Sequence, residues 1–376
     1  MKHKEKSLKC KMKLLKHIIP LLVLFAVWGG IALFCWLKPE DDFSVSERRR
    51  LASLPAMSVD SVLSGEYFRD FEEYSLDQFP LRDAFRVLKS VSEFYLFGKS
   101  DNHDIYISDG YAVKIEYPLD KSSVRSAVKK LNYLYETYLS DVSGNIYLSV
   151  IPDKGYFSAE QTEHPAMDYQ ALFDIVKEGM PYAKYMDVTS MLELSDYYKT
   201  DSHWRQEKIR DVAEYFADSM GASVSGKYEE HVVEKPFYGV YLGQAALLLE
   251  NDRIHYLSND TLEKCTLYNE ETKETTGLYH FEKLESRDMY EIYLSGASPL
   301  LSIKNPIAEK EKKLIVFRDS FASSLIPLLA EGYSEITLVD TRYMSPTAVG
   351  DYVDFAGADI LFLYSTTVLN NSETLR

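Results

Sequence analysis

Hydrophobic positions change their spacing several times along this chain. Ile18 to Leu37 runs 20 residues without a charge, enough for a helix spanning roughly 30 Å of bilayer hydrocarbon. Pro39 to about Ser64 is polar, includes SERRRLASLP, and reads as a linker. Glu66 to Phe97 carries Phe, Tyr and Leu at helical spacing, and Pro80 divides it into two predicted helices. DIYI and YAVKI read as strands, and Ser122 to Leu139 as an amphipathic helix. NIYLSVI (145–151) is a predicted strand that stops at Pro152, and AKYMDV (183–188) is another. Trp204 to Met220 predicts a helix with Ile209, Val212, Ala213 and Phe216 on one face.

From 221 to about 305 the apolar runs shorten and polar turns separate them, as in HVVEKPFYGVYLG, GLYHFEKL and MYEIYLSG. This texture predicts a β-rich insertion. The earlier alternation then resumes. LIVF (314–317) meets a turn at Arg318-Asp319-Ser320, with a helix expected from Phe321. EITLVD and DILFLY (359–364) are predicted buried strands with a helix between them. Alternating strands and helices predict an α/β fold: a mostly parallel sheet with helices on both faces. The expected organisation is a basic tail (1–16), a membrane span (17–37), a linker (38–64) and one domain (65–376).

Charge sharpens the reading of the first segment. Seven lysines and only Glu5 precede the apolar run, a bias that keeps an N-terminus in the cytoplasm. Cleaved signal peptides have shorter apolar regions, about 7–15 residues, so an uncleaved signal anchor is expected, with the rest of the chain outside the cytoplasm. Lys38 and the lysines before it account for eight of the 42 basic residues, and Glu5 for one of the 58 acidic. The remainder holds 34 basic and 57 acidic residues, a net of −23. That charge repels nucleic acid. Cys265 is the sole cysteine beyond residue 38, which leaves no disulfide within that part and no cysteine-ligated zinc.

Candidate chemistry lies in YYKTDSHWRQEK (197–208) and at Ser320. In an open α/β sheet ligands collect beyond the carboxyl ends of the strands, where Ser320 stands between a buried strand and a helix. A serine hydroxyl needs a base to become a nucleophile. His203 can be that base, and Asp201 can orient it and balance the imidazolium. Structural readings compete at each position. Asp201 or Ser202 could cap the following helix, and Asp319 or Ser320 theirs. Trp204 could stack on a sugar ring or pack in the core. Lys154, after a strand end, could face the cleft or bulk solvent. No second histidine pair or acidic cluster accompanies Asp201 and His203, so no metal is implied, and no organic cofactor either.

YYKTDSHW and LIVFRDSFASSLIPLLAEGYSEITLVDTRY resemble the DHHW family of bacterial extracytoplasmic proteins, which is related to the periplasmic alginate O-acetyltransferases. SERRRLASLP, YSLDQFPLRD, VIPDK and the two long motifs stand in the family's order. The resemblance implies an SGNH-hydrolase-like fold, with Ser320 as nucleophile, His203 as general base and Asp201 as its partner. It also implies that Arg342 and Tyr343 line the site. Ser202 occupies the place of the family's first histidine, and Arg318 that of the glycine in the broader Gly-Asp-Ser motif. The implied activity is transfer of an acetyl group to a cell-surface or secreted polysaccharide, the donor being delivered by a membrane-bound O-acyltransferase partner. An acetylesterase of the same fold and a non-catalytic glycan-binding or assembly protein are the alternatives.

The anchor is directly testable. A reporter fused after Arg376 is expected to be active only outside the cytoplasm. A soluble mature form lacking residues 1–37 would contradict it.

Overall fold

The computed structural model describes residues 2–376, with side chains described from residue 16 onward except at residues 17 and 160. Two units of the chain, divided after Ser90, are each internally compact.

The first unit opens with helix α1 (Lys2–Leu37). Its Ile18–Leu37 portion has a mean hydropathy of 2.5 and is long and apolar enough to cross a membrane. Of the basic flank, the side chains of Lys2 to Lys13 lie outside the described residues. The stretch expected as a linker is more ordered than its composition suggests. Strands β1 (Phe43–Ser44) and β2 (Arg49–Arg50) pair as a small hairpin, and α2 (Val59–Leu63) follows with a capping box at Ser58. Pro80 separates α3 (Glu66–Asp77) from α4 (Arg82–Val91), as the pattern predicts. The arginines of SERRRLASLP explain the order: Arg49 forks onto Asp77 at 2.8 and 2.6 Å, while Ala52 N–H donates to the same carboxylate. Burial opposes its charge, yet these donors hold the Asp77 carboxyl below the usual carboxylate range. Glu47 in turn pairs with Arg82 and Arg86.

In the second unit β3 (Asp101–Asn102), β4 (Ile105–Ser108) and β5 (Tyr111–Lys114) form a small antiparallel sheet. Then come α5 (Lys121–Leu134), β6 (Ile146–Ile151), α6 (Gly155–Thr162), α7 (Tyr169–Gly179) and β7 (Lys184–Tyr185). Helix α8 spans only Arg210–Ser219, shorter than the expected 204–220, because Trp204 bridges back to Tyr197 in an extended pair. Next are β8 (Glu229–Phe237), α9 (Val240–Ala245), β9 (Asp252–Ser258), β10 (Thr266–Asn269), β11 (Glu274–Thr276) and β12 (Leu300–Lys304). The chain closes with β13 (Lys313–Arg318), α10 (Ala322–Leu329), β14 (Glu335–Asp340), β15 (Ala358–Ser365) and α11 (Thr366–Asn370).

The main sheet has eight strands in the order β11-β10-β12-β14-β13-β15-β6-β7. Strands β14, β13, β15, β6 and β7 run parallel, and β12, β10 and β11 extend the sheet antiparallel beyond β14. The expected insertion is therefore not one body. Its β8–β9 hairpin stands apart, whereas its later strands widen the main sheet. Between β14 and β15 there is a 3₁₀ run over Pro346–Asp351, not the expected helix.

Strand alternation sends Leu314 and Val316 to one face, against Phe216 of α8 and Leu325 of α10. Ile315 and Phe317 go to the other, against Leu131 of α5 and Val176 of α7. Both faces are covered, which is why these strands read as continuous apolar runs. The architecture is the expected α/β fold, a largely parallel sheet with helices on both faces. Because β15 is buried along its whole length, Leu361→Ala should cost about 2–5 kcal/mol, read as a lowered urea midpoint. An unchanged midpoint would contradict this packing.

Candidate active site

The site forms where β13 runs out. Asp319, wholly buried, holds the turn: Phe321 N–H donates to its Oδ1 at 3.0 Å and Ser365 N–H to its Oδ2 at 2.7 Å. Its own N–H reaches Leu363 O on β15. Asp319 thus ties the turn to the neighbouring strand and satisfies a donor at the start of α10. Ser320, next in the chain, remains partly exposed.

The second component is the loop from Tyr197 to Trp204. Tyr198 N–H donates to His203 O at 3.0 Å, so the chain doubles back and presents Thr200, Asp201 and Ser202 at its tip. No helix starts there, and neither Asp201 nor Ser202 is an N-cap. Asp201 is buried; its Oδ2 accepts from Val240 N–H at 2.9 Å and its Oδ1 from His203 N–H at 3.2 Å. The imidazole Nδ1 lies 2.6 Å from Oδ1. A carboxylate oxygen only accepts, so Nδ1 carries the proton and Nε2 is left as acceptor. Nε2 lies 2.8 Å from Ser320 Oγ, the distance a hydroxyl needs to donate to a base. The structure thus brings together Asp201, His203 and Ser320, which are 117 residues apart at the His–Ser contact.

A polar frame keeps the loop in place. Asp252 accepts from Lys199 N–H, Thr200 N–H and the Thr200 hydroxyl. Gly239 N–H donates to Thr200 Oγ1. A Cβ on Gly239 would sit 2.2 Å from the Thr200 carbonyl carbon, so only glycine permits this approach.

Trp204 and Lys154 are corrections. Trp204 has no exposed surface; its indole N–H donates to Phe321 O at 3.0 Å, and its ring meets Phe321 edge-on. It props the turn at Ser320 from within the core, so it offers no face to a sugar. Lys154 is buried too, and its Nζ donates to Tyr198 O at 3.0 Å and Lys199 O at 3.3 Å. It supports the loop from behind. Arg342 forks onto Asp340 at 2.9 and 2.7 Å, and its guanidinium lies over the half-exposed Tyr343 ring. Both follow the end of β14, beside β13 in the parallel register that pairs Arg318 with Asp340. Their place is the rim at the strand ends, and the contacts of Arg342 go to Asp340. Arg318, which stands where the broader motif has glycine, is wholly buried and reaches Ser323 Oγ at 3.0 Å and Gly296 O at 3.3 Å. Sequence reasoning missed Tyr290, whose ring stacks on His203; nothing in MYEIYLSG marks that tyrosine out from its neighbours.

No protein-family profile matches the chain, and no curated protein matches it. Solved structures do. One is a DHHW family protein from Eubacterium siraeum, similar with a TM-score of 0.57 at 19% identity over 72% of this chain and 93% of that one. Another is PatB1 of Bacillus cereus carrying a sulfonyl adduct, with a TM-score of 0.54 at 17% identity over 70% and 94%. The O-acetyltransferase domain of Pseudomonas putida AlgJ is similar at a TM-score of 0.45 and 10% identity, over 71% and 92%. The fold shared with the first two is the one expected from the motifs.

Lys154 gives the frame a pH signature. Burial pushes its amine down to about 7, although Asp201, Asp252 and Asp153 pull the other way. A neutral amine still has the two donors that the Tyr198 and Lys199 carbonyls take. Between about 7 and 10.4 the unfolded chain binds a proton that the folded chain lacks, so stability rises with pH across that window. Below it the fold must bury a charge. The urea-midpoint difference between wild type and Lys154→Met should therefore shift in favour of wild type from pH 7 to pH 9. A difference independent of pH would contradict the buried amine.

Proposed function

We propose that this chain is a serine-dependent O-acetyltransferase that modifies a cell-surface or secreted polysaccharide outside the cytoplasm. The observation that carries this reading is the unbroken contact from Asp201 through His203 to the Ser320 hydroxyl. The motif resemblance to the alginate O-acetyltransferases and their relatives supplies the acyl group and the class of acceptor. The apolar helix at the N-terminus suits a chain held at the membrane, next to an O-acyltransferase partner that would deliver the acetyl donor.

In the first half-reaction Ser320 Oγ attacks the acetyl carbonyl while its proton moves to His203 Nε2. The tetrahedral intermediate collapses, the bond to the leaving group breaks, and His203 returns the proton to that group. Asp201 holds the imidazolium formed in between. In the second half-reaction a sugar hydroxyl loses its proton to His203 and attacks the acetyl–Ser320 ester. The acetyl group leaves on the sugar and Oγ recovers the proton. Water attacking instead would make the protein an acetylesterase, so the acceptor decides between the two.

With an activated acetyl ester, the intact mass should rise by one acetyl group and Ser320→Ala should abolish the rise. Loss of a triad nucleophile costs on the order of 10⁶ in turnover, so the result is clear-cut. Asp201→Asn should lower turnover by about 10⁴, and the melting temperature should fall as well, because the amide NH2 sets a donor against one of the backbone N–H groups that Asp201 accepts. Added oligosaccharide should capture the acetyl group faster than water does, and free acetate as the sole product would move the assignment to esterase. A folded protein that binds glycan and never acylates would be a binding module.

A further inference from the structure

His203 is held at two points in its own plane, Nδ1 on Asp201 and Nε2 on Ser320. The ring is also tethered at Cβ, so it can roll only by turning about the Cβ–Cγ bond, and that turn draws both nitrogens off their partners. Each hydrogen bond tolerates a modest bend, so the two resist small rolls only weakly. A contact on the ring face resists the roll directly.

Tyr290 makes that contact. Its ring lies 3.9 Å from the imidazole, centroid to centroid, with an interplanar angle of 10°. Phe321 is 5.1 Å away and tilted by 51°, so it touches the imidazole without defining its plane. Tyr290 is itself fixed and fully buried: its hydroxyl lies 2.8 Å from Ser324 Oγ in α10 and 3.5 Å from Ser320 O. The segment that carries it leaves in an unusual conformation. Leu294, Ser295 and Gly296 have φ values of 55°, 60° and 81° in succession, a left-handed run that non-glycine residues adopt at a cost. Arg318 secures the end of this run through Gly296 O, and reaches Ser323 from the same guanidinium. The nucleophile turn and the tyrosine segment are therefore braced by one buried side chain.

Resting on the serine-transferase reading, we infer that Tyr290 is a positioning residue that fixes the plane of the His203 ring against roll. Its face also lies where a cation forms during each half-reaction, which favours the imidazolium.

The test compares Tyr290→Leu, which removes the flat face, with Tyr290→Phe, which keeps it and loses only the hydroxyl. Acetylation of Ser320 by 4-nitrophenyl acetate is followed by the nitrophenol burst, and the His203 Nδ1 proton by NMR of ¹⁵N-histidine protein, assigned with His203→Gln. Misplacement of a reacting group by about 1 Å can cost on the order of 10²-fold, so Tyr290→Leu should lower the acylation rate constant by about that factor. Apparent affinity for the ester should change little and exchange of the Nδ1 proton with water should quicken; the melting temperature should fall, since a buried ring is lost, so rates are compared well below it. Tyr290→Phe should restore most of the rate and the slow exchange. Wild-type rate and exchange in Tyr290→Leu would overturn the inference, as would a Tyr290→Phe protein as impaired as Tyr290→Leu, which would assign the effect to the hydroxyl. If wild type is not acylated while Tyr290→Leu alone quickens exchange, the transferase reading fails and the ring-positioning role stands.

Discussion

The carboxylate of Asp201 is the constraint on which the site depends. It is withdrawn from water and accepts from the backbone on both oxygens. A buried carboxylate without partners would be costly, so the surrounding chain is arranged around it. The loop doubles back at Tyr197 and Trp204, Gly239 comes in without a side chain, and α9 begins with its Val240 N–H directed at Oδ2. Once the carboxylate is fixed, the position of His203 Nδ1 follows. The strand end at β13 then has to deliver Ser320 to the opposite nitrogen. Asp319 does this by pinning the turn to β15.

Much of the scaffold was legible in the sequence because burial on both faces leaves an unambiguous mark. LIVF, EITLVD, DILFLY and NIYLSVI could hardly be anything but interior strands, and they are β13, β14, β15 and β6. The neighbouring helices announced themselves by spacing. What failed was local and polar. TDSHW contains good N-cap letters, yet its donors and acceptors are spent on Asp252, Gly239 and Val240, all far along the chain. Trp204 follows His203 and Lys154 follows a strand end, but both side chains turn inward. The segment 221–305 looked uniform because short β-prone runs give the same pattern whether they form a hairpin or extend a sheet. Partner strands, here β12 and β14, are invisible to periodicity.

Arg318 illustrates how a departure from a motif can be absorbed. Glycine before Asp-Ser leaves room, whereas arginine fills it and brings a charge into the interior. That charge is answered by Asp340 at 3.8 Å, by Gly296 O and by Ser323 Oγ. Burial lowers its basicity and Asp340 restores part of it. Asp340 at the same time holds Arg342, so one buried carboxylate serves two guanidiniums at the sheet's carboxyl end. The interior there is polar and largely paired, with Arg318 Nε the guanidinium nitrogen left without a hydrogen bond.

The two outermost strands of the main sheet have a consequence for how copies of the protein meet. β7 contributes two residues and β11 three, while the strands between them reach eight. An edge offers its unpaired backbone groups as a template for a foreign strand, and the hazard grows with its length. Here each border ends after about one pairing unit. Neighbours crowded together would find little backbone on either border strand with which to continue the main ladder.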